Sequence, residues 1–503
     1  MQKNKNFSLL SICSILIIVL VLQFIAINNF SLWIDEGTTA YFASLSNFSG
    51  LVSKLLRWNG SEAQMPGYIV YIWSWAKIFG HSELALRYAN LPFLMWFYFT
   101  LIISSLSRRN KLIIIFLVVL NPFIWYNLNE ARNTIIIFSL SFIILINLYD
   151  YFNNGFHISK INLIVVAFIT GILFNLLFFF YAIVLLVLFI AFGIREKLSL
   201  KDFLSKVKYQ IIALVSFSTV ILAYYLFTLS HGAGGMHQRP GITNLANTFY
   251  EFAGFIGLGP SRNEARGNIN INVFLNYKNT LFPFILLLLA FVLESFIFLR
   301  KIKKLNILYN NYFLAFIVTL VFFYLASLYE HFRFWARHLA FLYPVFILYI
   351  ATIIDSILLV DYKKVFLFTV IGLLIFWVYS DMQIRFNPKY QKDNYRFAVN
   401  KTLEMDKNHD LDVVWAGDEM TASYYGLIFK NFVKPVTWPN KLKVYTPGEL
   451  LEGGNISGNK IIIVLFKKYD MFDPRHYLRN YIEKHNYLKT YDAQDFLIYE
   501  QKH

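Results

Sequence analysis

Two adjacent carboxylates, Asp35 and Glu36, follow the first long apolar stretch of the chain by a few residues. Charge beside a stretch long enough to cross a membrane is costly unless it is solvated, paired or used in chemistry. A carboxylate there can act as a general base that takes a proton from a hydroxyl or an amine. The alternative is structural, because acidic residues also stabilise the first turn of a helix, here one that starts near Gly37.

A second polar cluster lies at residues 129–133, between two apolar runs, and contains Glu130 and Arg132. One interpretation is a local ion pair at a helix end. The other is that both residues close a polar pocket with Asp35, in which neighbouring asparagine side chains hydrogen-bond to the hydroxyls of a sugar. The cluster is more polar than a simple turn requires.

A third group, Arg333, Arg337 and His338, comes just before another apolar run. Long basic side chains at such a position can reach lipid phosphates at the membrane surface. They can also form a binding site for the phosphate or pyrophosphate of a lipid-borne substrate, because arginine binds such groups with two hydrogen bonds.

The composition places the chain in a membrane. Of its 503 residues, 57% are hydrophobic and 15% are charged, and the mean hydropathy is +0.50. Soluble proteins contain about 25% charged residues. The net charge of +16 does not indicate a nucleic-acid partner, because most of it lies in short loops between apolar runs. Cys13 is the single cysteine, so an intrachain disulfide and a cysteine-based metal site are excluded.

The apolar runs predict a mainly α, polytopic protein with about 11 transmembrane helices. The runs lie at 8–27, 86–106, 111–128, 133–150, 161–178, 180–194, 210–229, 281–299, 312–329, 338–354 and 364–381. The segment 66–80 is too short to cross, and its tryptophans favour a helix along the membrane surface. The first run has no cleavage pattern after it, so we interpret it as an uncleaved anchor.

The positive-inside rule gives the orientation. With the N-terminus in the cytoplasm and 66–80 not crossing, 17 of the 28 Lys and Arg residues of 1–384 lie in short cytoplasmic segments. The three polar clusters and everything from residue 385 onward then lie on the outer side. We therefore predict two domains, a membrane domain at 1–384 and an extracytoplasmic α/β domain at 385–503, in a bacterial inner membrane.

The pattern of the C-terminal domain is that of a small α/β unit. Buried strands are predicted at 412–416, 460–465 and 496–499, with helices at 420–429 and 475–485 between them. It contains no phosphate loop, catalytic triad or metal-ligand spacing. A lid or platform over the membrane domain is favoured over an independent activity.

Four stretches of the membrane domain carry a family resemblance, in their order and topology. They are Trp33-Ile34-Asp35-Glu36-Gly37; Met65-Pro66-Gly67-Tyr68-Ile69-Val70-Tyr71 with Phe79-Gly80-His81-Ser82-Glu83 and Arg87; Asn121-Pro122 through Asn129-Glu130-Ala131-Arg132; and Ala336-Arg337-His338-Leu339 with Pro344. The chain resembles the bacterial GT-C membrane glycosyltransferases, relatives of the protein mannosyltransferases, aminoarabinose transferases and lipopolysaccharide galacturonosyltransferases. It departs from them at residues 64–67, where such enzymes commonly have a His or Lys before a Pro-Pro pair.

The resemblance implies a hexosyl or pentosyl transferase with a polyprenyl-phosphate sugar as donor. Asp35 would be the general base and Glu36 its catalytic partner. The acceptor, a lipid, a polysaccharide or a protein, would attack the anomeric carbon with inversion. Arg337, with Arg132 or Arg333, would offset the charge growing on the leaving phosphate. The predicted substrate-binding residues are Glu130, Arg132, Arg333, Arg337, His338 and Tyr68. No metal or other cofactor is expected.

Two other classes compete with this interpretation. A transporter or flippase of lipid-linked saccharides often has internal repeats and charges within its spans. Here no repeat is visible, and Glu294 is almost the only charge inside a span. A membrane scaffold without enzymatic activity would leave three polar clusters on one side unexplained. The sequence therefore favours the glycosyltransferase.

Overall fold

The computed structural model describes residues 9–195, 204–231, 239–261, 264, 271–301, 307–358, 363–405, 411–427, 429, 443–445, 460–467, 477–492 and 495–501. Most of these residues are helical. The first half contains α1 (Leu9–Ala26), α2 (Ile34–Ser44), α3 (Phe48–Leu56), α4 (Pro66–Phe79), α5 (Glu83–Tyr88), α6 (Leu91–Ile103), α7 (Arg108–Val119), α8 (Pro122–Leu128), α9 (Thr134–Asn154), α10 (Ile158–Phe174) and α11 (Leu176–Arg195).

Seven more helices follow in the described residues of the membrane domain. They are α12 (Lys208–Ser230), α13 (Ile242–Phe252), α14 (Ile271–Leu275), α15 (Lys278–Lys301), α16 (Ile307–Glu330), α17 (Tyr343–Ile357) and α18 (Lys363–Phe386). Short 3-10 turns lie at Ser61–Gln64, Ala336–Leu339 and Pro388–Tyr390.

The predicted polytopic membrane fold is confirmed. Among the described residues, 6 helices are long and apolar enough to cross a bilayer, and the bent pair α7–α8 makes 7 if it counts as one span. Four shorter apolar helices, at Cys13–Ala26, Ile158–Phe174, Leu176–Phe192 and Tyr343–Ile357, coincide with the remaining predicted runs. The surface segment is a helix, α4, of 14 residues.

Two predicted runs differ in detail from the helices observed. The run 111–128 bends by 55° between α7 and α8, because Asn121 is held extended before Pro122 and proline disfavours helical backbone in the preceding residue. The run 338–354 begins as a helix only at Tyr343, since residues 336–339 form a separate 3-10 turn. Both breaks deliver polar residues to the same end of the helix bundle.

The core of the membrane domain is built around α9, whose side chains are almost all buried. It packs against α6, α10 and α17. By contrast, α12 and α15 expose many Ile, Leu, Val and Phe side chains. Such a surface suits contact with lipid tails rather than with water.

The C-terminal domain is a five-stranded sheet with helices on both faces. Its elements are α19 (Tyr395–Met405), β1 (Leu411–Ala416), α20 (Glu419–Tyr425), β2 (Lys443–Tyr445), β3 (Lys460–Phe466), α21 (Tyr477–Lys484), β4 (Tyr487–Asp492) and β5 (Phe496–Gln501). The strand order is β2-β1-β3-β5-β4. Strand β1 is parallel to β2 and β3, whereas β3–β5 and β5–β4 are antiparallel.

The three predicted strands are confirmed, and β2, β4 and α19 are additional. Helix α20 ends at Tyr425 rather than at residue 429, because Gly426 adopts a φ of 122° and stops the helix. The sheet face that carries Val413, Trp415 and Val464 packs against α19 and α20. Helix α20 in turn packs against α2 of the membrane domain.

Candidate active site

Asp35 and Glu36 lie in the first turn of α2, where their negative charges interact favourably with the helix dipole. Trp33, at the position before the helix, is extended and makes no side-chain capping bond. The two carboxylates point into different surroundings. The side chain of Glu36 is fully buried, whereas that of Asp35 is 26% exposed. Position at the helix start therefore accounts for both acids, but only Asp35 is open to another molecule.

Glu36 is held by a two-point ion pair with Arg87 on α5. Both contacts, from Nε to Oε1 and from Nη2 to Oε2, measure 3.0 Å. The backbone N–H of Ala131 also donates to Oε1, at 2.7 Å. Arg87 further donates to the carbonyl oxygens of Asn28 and Phe30, both at 2.9 Å. These bonds fix the segment before α2 and the start of the helix against α5.

Asp35 contacts two arginines from distant parts of the chain. Its Oδ2 atom lies 2.8 Å from Nη1 of Arg337, and its backbone carbonyl accepts a bond from Arg132 Nη1 at 3.1 Å. The side chain of Arg337 is only 10% exposed. A partly exposed carboxylate thus adjoins a mostly buried guanidinium.

Two tryptophan rings lie within cation–π distance of Arg337. Its guanidinium carbon lies 4.9 Å from the ring centre of Trp33 and 5.2 Å from that of Trp335, within the range of cation–π attraction. Arg333 lies 5.1 Å from the ring centre of Trp335. Two cations therefore share one aromatic surface beside Asp35.

His338 lies in the same 3-10 turn and is electrically neutral near pH 7. Burial, followed by the charge of Arg337, lowers the pKa of its imidazole to about 3. Its Nδ1 atom is 2.8 Å from the carbonyl oxygen of Arg333, which fits a protonated Nδ1 that donates to this carbonyl. His338 can therefore offer hydrogen bonds but adds no positive charge.

Arg132 forms an ion pair with Glu62, at 2.6 Å. The local pair between Glu130 and Arg132 considered from sequence is thus not the main partnership of Arg132. Burial acts to lower the pKa of Arg132, but the charges of Glu62 and Asp35 outweigh it, so the pKa is raised. Glu62 was not among the site residues predicted from the sequence, although it is the only acidic residue between Glu36 and Glu83.

Glu130 is fully buried and pairs with a lysine from the C-terminal domain. Lys392 Nζ lies 3.3 Å from Glu130 Oε1 and 3.6 Å from Glu36 Oε2. It also donates to the carbonyl oxygen of Asn129, at 2.6 Å. Nothing in the local sequence around Lys392 signals this role, because its partners lie far away in the chain.

Tyr68, in the first turn of α4, is buried and packs against Phe174. Burial raises the pKa of its phenol well above the usual value. The charges of Glu36 and Glu130 add to this increase, and the charge of Arg132 opposes it. The phenol is therefore neutral at physiological pH. Its surroundings place it near the charged residues around the start of α2.

The structure thus brings together residues that the sequence analysis selected separately. Asp35, Arg132 and Arg337 meet at the start of α2, with Arg333 and His338 beside them. Glu36 and Glu130 lie behind this surface and are fully buried. The additional members are Glu62, Arg87 and Lys392. Within the described part of the chain, no group of three or more His, Cys, Asp or Glu side chains is arranged to hold a metal ion.

Comparisons with known proteins give a structural match. No protein-family model and no curated protein matches the chain. Its fold is similar to that of ArnT from Cupriavidus metallidurans in the apo state, with a TM-score of 0.54, 8% identity and 97% of each chain covered. ArnT from the same organism bound to undecaprenyl phosphate gives a TM-score of 0.51 and 10% identity, again with 97% of each chain covered.

At such low identity, the match concerns the fold. It extends over nearly the whole chain, including the C-terminal domain that the sequence resemblance did not cover. The chain has the GT-C fold that the sequence motifs implied.

Proposed function

We propose that this protein is an integral membrane glycosyltransferase that moves a sugar from a polyprenyl-phosphate donor to an acceptor, with Asp35 as the general base. The observation that carries the proposal is the pairing of a partly exposed carboxylate with a guanidinium that contacts two tryptophan rings. The similarity to a structure of ArnT bound to undecaprenyl phosphate supports a lipid phosphate as the group that Arg337 recognises.

The proposed reaction is a single displacement with inversion. The acceptor oxygen or nitrogen attacks the anomeric carbon of the sugar while its proton passes to Asp35. The bond between that carbon and the phosphate oxygen breaks, and its electron pair stays on the polyprenyl phosphate. Arg337, with Arg333 beside it, offsets the negative charge that grows on this leaving group.

In this mechanism Arg337 changes partners when the donor binds. Without a donor, its Nη1 atom contacts Oδ2 of Asp35. A phosphate that binds Arg337 competes with this contact, because guanidinium groups bind phosphates with two parallel hydrogen bonds. Asp35 is then available to the acceptor only after the donor has bound.

The remaining predicted site residues have supporting roles in this proposal. Arg132 holds the backbone of Asp35 in place by donating a hydrogen bond to the carbonyl oxygen of Asp35. His338 is a neutral hydrogen-bonding group suited to sugar hydroxyls. Tyr68 is fully buried, so it supports the start of α4 beside the site and does not contact the sugar. Glu36 and Glu130, as fully buried carboxylates, fix the start of α2 and the turn at residues 129–132. Glu36 therefore acts through position rather than as a second base.

The proposed location is a bacterial inner membrane with the N-terminus in the cytoplasm. The supporting argument is the positive-inside bias of the loops at the ends of the spans opposite the site. The site and the C-terminal domain would then face the outer side, where a lipid, glycan or protein acceptor is met. A cysteine in place of Arg239, whose side chain is exposed, should react with an impermeant thiol reagent in intact cells; labelling only after lysis would contradict this orientation.

The test of the reaction uses purified protein, undecaprenyl-phosphate-linked sugars and an acceptor extract from the producing cells. Release of undecaprenyl phosphate is expected with wild-type protein, and Asp35→Asn should abolish it. Asp355→Asn is the matched control, because Asp355 also pairs with an arginine, Arg109, and its side chain is 21% exposed. Full turnover by Asp35→Asn would refute the general-base assignment.

A further inference from the structure

The segment that joins the two domains is fixed on both sides of Lys392. Before it, Tyr390 in the 3-10 turn donates to the carbonyl oxygen of Gly259 at 2.7 Å. After it, the backbone N–H of Asn394 donates to Asp495 at 3.0 Å. Lys392 is therefore delivered to the membrane domain from a rigid connection, and not from a flexible linker.

The residues around Lys392 contain two fully buried carboxylates. Arg87 neutralises Glu36 through its two-point contact. Glu130 is equally buried, and Lys392 of the C-terminal domain contacts its carboxylate. An uncompensated carboxylate at such a site costs several kcal/mol. The side chain of Lys392 is itself only 9% exposed, so it lies within the same enclosed charge network.

Hydrogen bonds and ion pairs connect Lys392 to Asp35 through the turn at residues 129–132. Lys392 donates to the carbonyl oxygen of Asn129 and also contacts Glu36. Further along the same turn, the backbone N–H of Ala131 donates to Glu36 and Arg132 donates to the carbonyl oxygen of Asp35. The turn at residues 129–132 is thus held between Lys392 on one side and the start of α2 on the other.

We infer that Lys392 is a positioning residue for Asp35, so that the C-terminal domain completes the active site rather than merely covering it. This inference rests on the proposed function, in which Asp35 is the base. Other contacts between the domains agree with it: Arg396 pairs with Glu83 at 2.7 Å, and Tyr425 accepts from the N–H of Leu32 at 2.7 Å while donating to Glu83 at 3.0 Å. These bonds join the C-terminal domain to the segment just before α2, through Leu32, and to the start of α5, through Glu83.

The first experiment compares the kinetic constants of Lys392→Met with those of wild-type protein. A misplaced base lowers kcat by roughly 10- to 100-fold, while the KM for the donor changes little because Arg337 and Arg333 are intact. Lys392→Arg should recover part of kcat. Lys401→Met is the matched control, since Lys401 lies in the same domain and pairs with Glu404 on the surface.

A second variant separates positioning from charge balance. Lys392→Met alone leaves the buried carboxylate of Glu130 without this lysine and should lower the thermal midpoint. The double variant Glu130→Gln with Lys392→Met removes both members of the pair and should restore that midpoint. It should not restore kcat, because the bonds to Asn129 and Glu36 are still missing. Glu130→Gln alone, which keeps those bonds, should be more active than Lys392→Met. Recovery of kcat together with the midpoint in the double variant would overturn the inference.

The outcome for Asp35 distinguishes this inference from the proposed function. Failure of wild-type protein to release undecaprenyl phosphate would refute the function itself, and full turnover by Asp35→Asn would refute Asp35 as its base. Wild-type kcat in Lys392→Met, alongside an inactive Asp35→Asn, would refute only the positioning role of Lys392.

Discussion

Arg337 and Asp35 are separated by most of the membrane domain in sequence, yet Nη1 of the one lies 2.8 Å from Oδ2 of the other. The 3-10 turn at residues 336–339 presents the arginine, and the first turn of α2 presents the carboxylate. A pair of this kind serves two purposes in the proposed reaction. It keeps both charges paired before substrates arrive, and it leaves a cation in position for a phosphate.

Arg337→Gln is expected to lower kcat by about 10²- to 10³-fold, the usual loss when one preorganised donor to a developing negative charge is removed. Binding of undecaprenyl phosphate should weaken as well, because the ground-state phosphate loses the same contact. Arg337→Lys should recover only part of the loss, since lysine cannot form the two-point contact. Turnover and binding of the lipid phosphate are the measurements.

Arg109→Gln is the control for this variant, because Arg109 also pairs with an aspartate but at the opposite end of the spans. It should leave lipid-phosphate binding unchanged. Equal losses in the two variants would mean that Arg337 has a general structural role and no specific part in phosphate recognition.

Glu36 and Asp35 should respond differently to the same isosteric change. Glu36→Gln disrupts a fully buried ion pair, and breaking such a pair costs about 3–5 kcal/mol. The yield of folded protein and its thermal midpoint should therefore fall. Asp35→Asn should leave both nearly unchanged, because Asp35 is partly exposed. Size-exclusion profiles and thermal denaturation in detergent provide the measurements.

A double variant tests the reason for this difference. Glu36→Met with Arg87→Met removes both buried charges and should be more stable than either single variant. If Glu36→Gln instead folds normally and has lost all turnover, Glu36 takes part in catalysis directly, as the sequence resemblance implied.

The fold was largely predictable because apolar runs of sufficient length have few alternatives to membrane helices. The convergence of Asp35, Arg132 and Arg337 at one end of the spans also followed, once the loop charges had set the topology. The ion-pair partners of the site residues could not be predicted in this way. Glu36 binds Arg87, 51 residues away, and Arg132 binds Glu62, 70 residues away. Pairings over such separations depend on packing that no local pattern encodes.

Lys392 is the clearest residue of this kind. The segment 385–503 contains 18 Lys and Arg residues, and nothing in their spacing marks one of them as buried. Its position depends on the docking of the C-terminal domain, through contacts such as that between α20 and α2. The sequence could therefore indicate a lid or platform but could not identify the residue that this domain adds to the site.

Gly37 should tolerate no side chain, because α20 packs directly on it. A Cβ atom at this position would lie 2.7 Å from the Cα atom of Thr421 and closer still to its side chain. Replacing a helical glycine by alanine normally stabilises a helix by about 0.5–1 kcal/mol. Gly37→Ala is expected to have the opposite sign and to cost about 1–3 kcal/mol, with lower turnover because α2 carries Asp35.

Gly241→Ala is the comparison for this variant, since the nearest atom to its added Cβ would be Thr243 Oγ1 at 3.5 Å, an ordinary contact. Thermal midpoints of the two variants should therefore shift in different directions or by clearly different amounts. A stabilised Gly37→Ala would show that the two domains are not packed together at α2 and α20.

Asp418 should make stability depend on pH. Its Oδ2 atom accepts from the backbone N–H and hydroxyl of Thr421, at 2.8 and 2.6 Å, at the start of α20. Burial is the main cause that raises the pKa of its carboxyl from 3.8 to about 6, and Asp35 and Glu62 add to the increase. The folded protein thus holds this proton over a range in which the unfolded chain has released it.

The sign of the effect follows from the raised pKa. The contribution of the Asp418 carboxyl to the free energy of unfolding is fully present below about pH 4 and is lost as the pH rises to about 6. The loss is at most about 3 kcal/mol, and partial exposure reduces it. Asp418→Asn keeps a good N-cap but cannot titrate, so its thermal midpoint should not decline across this range as the wild-type midpoint does. Asp492→Asn, at an exposed site on β4, should retain the decline. An unchanged slope in Asp418→Asn would mean that Asp418 is already ionised in the folded protein at pH 4.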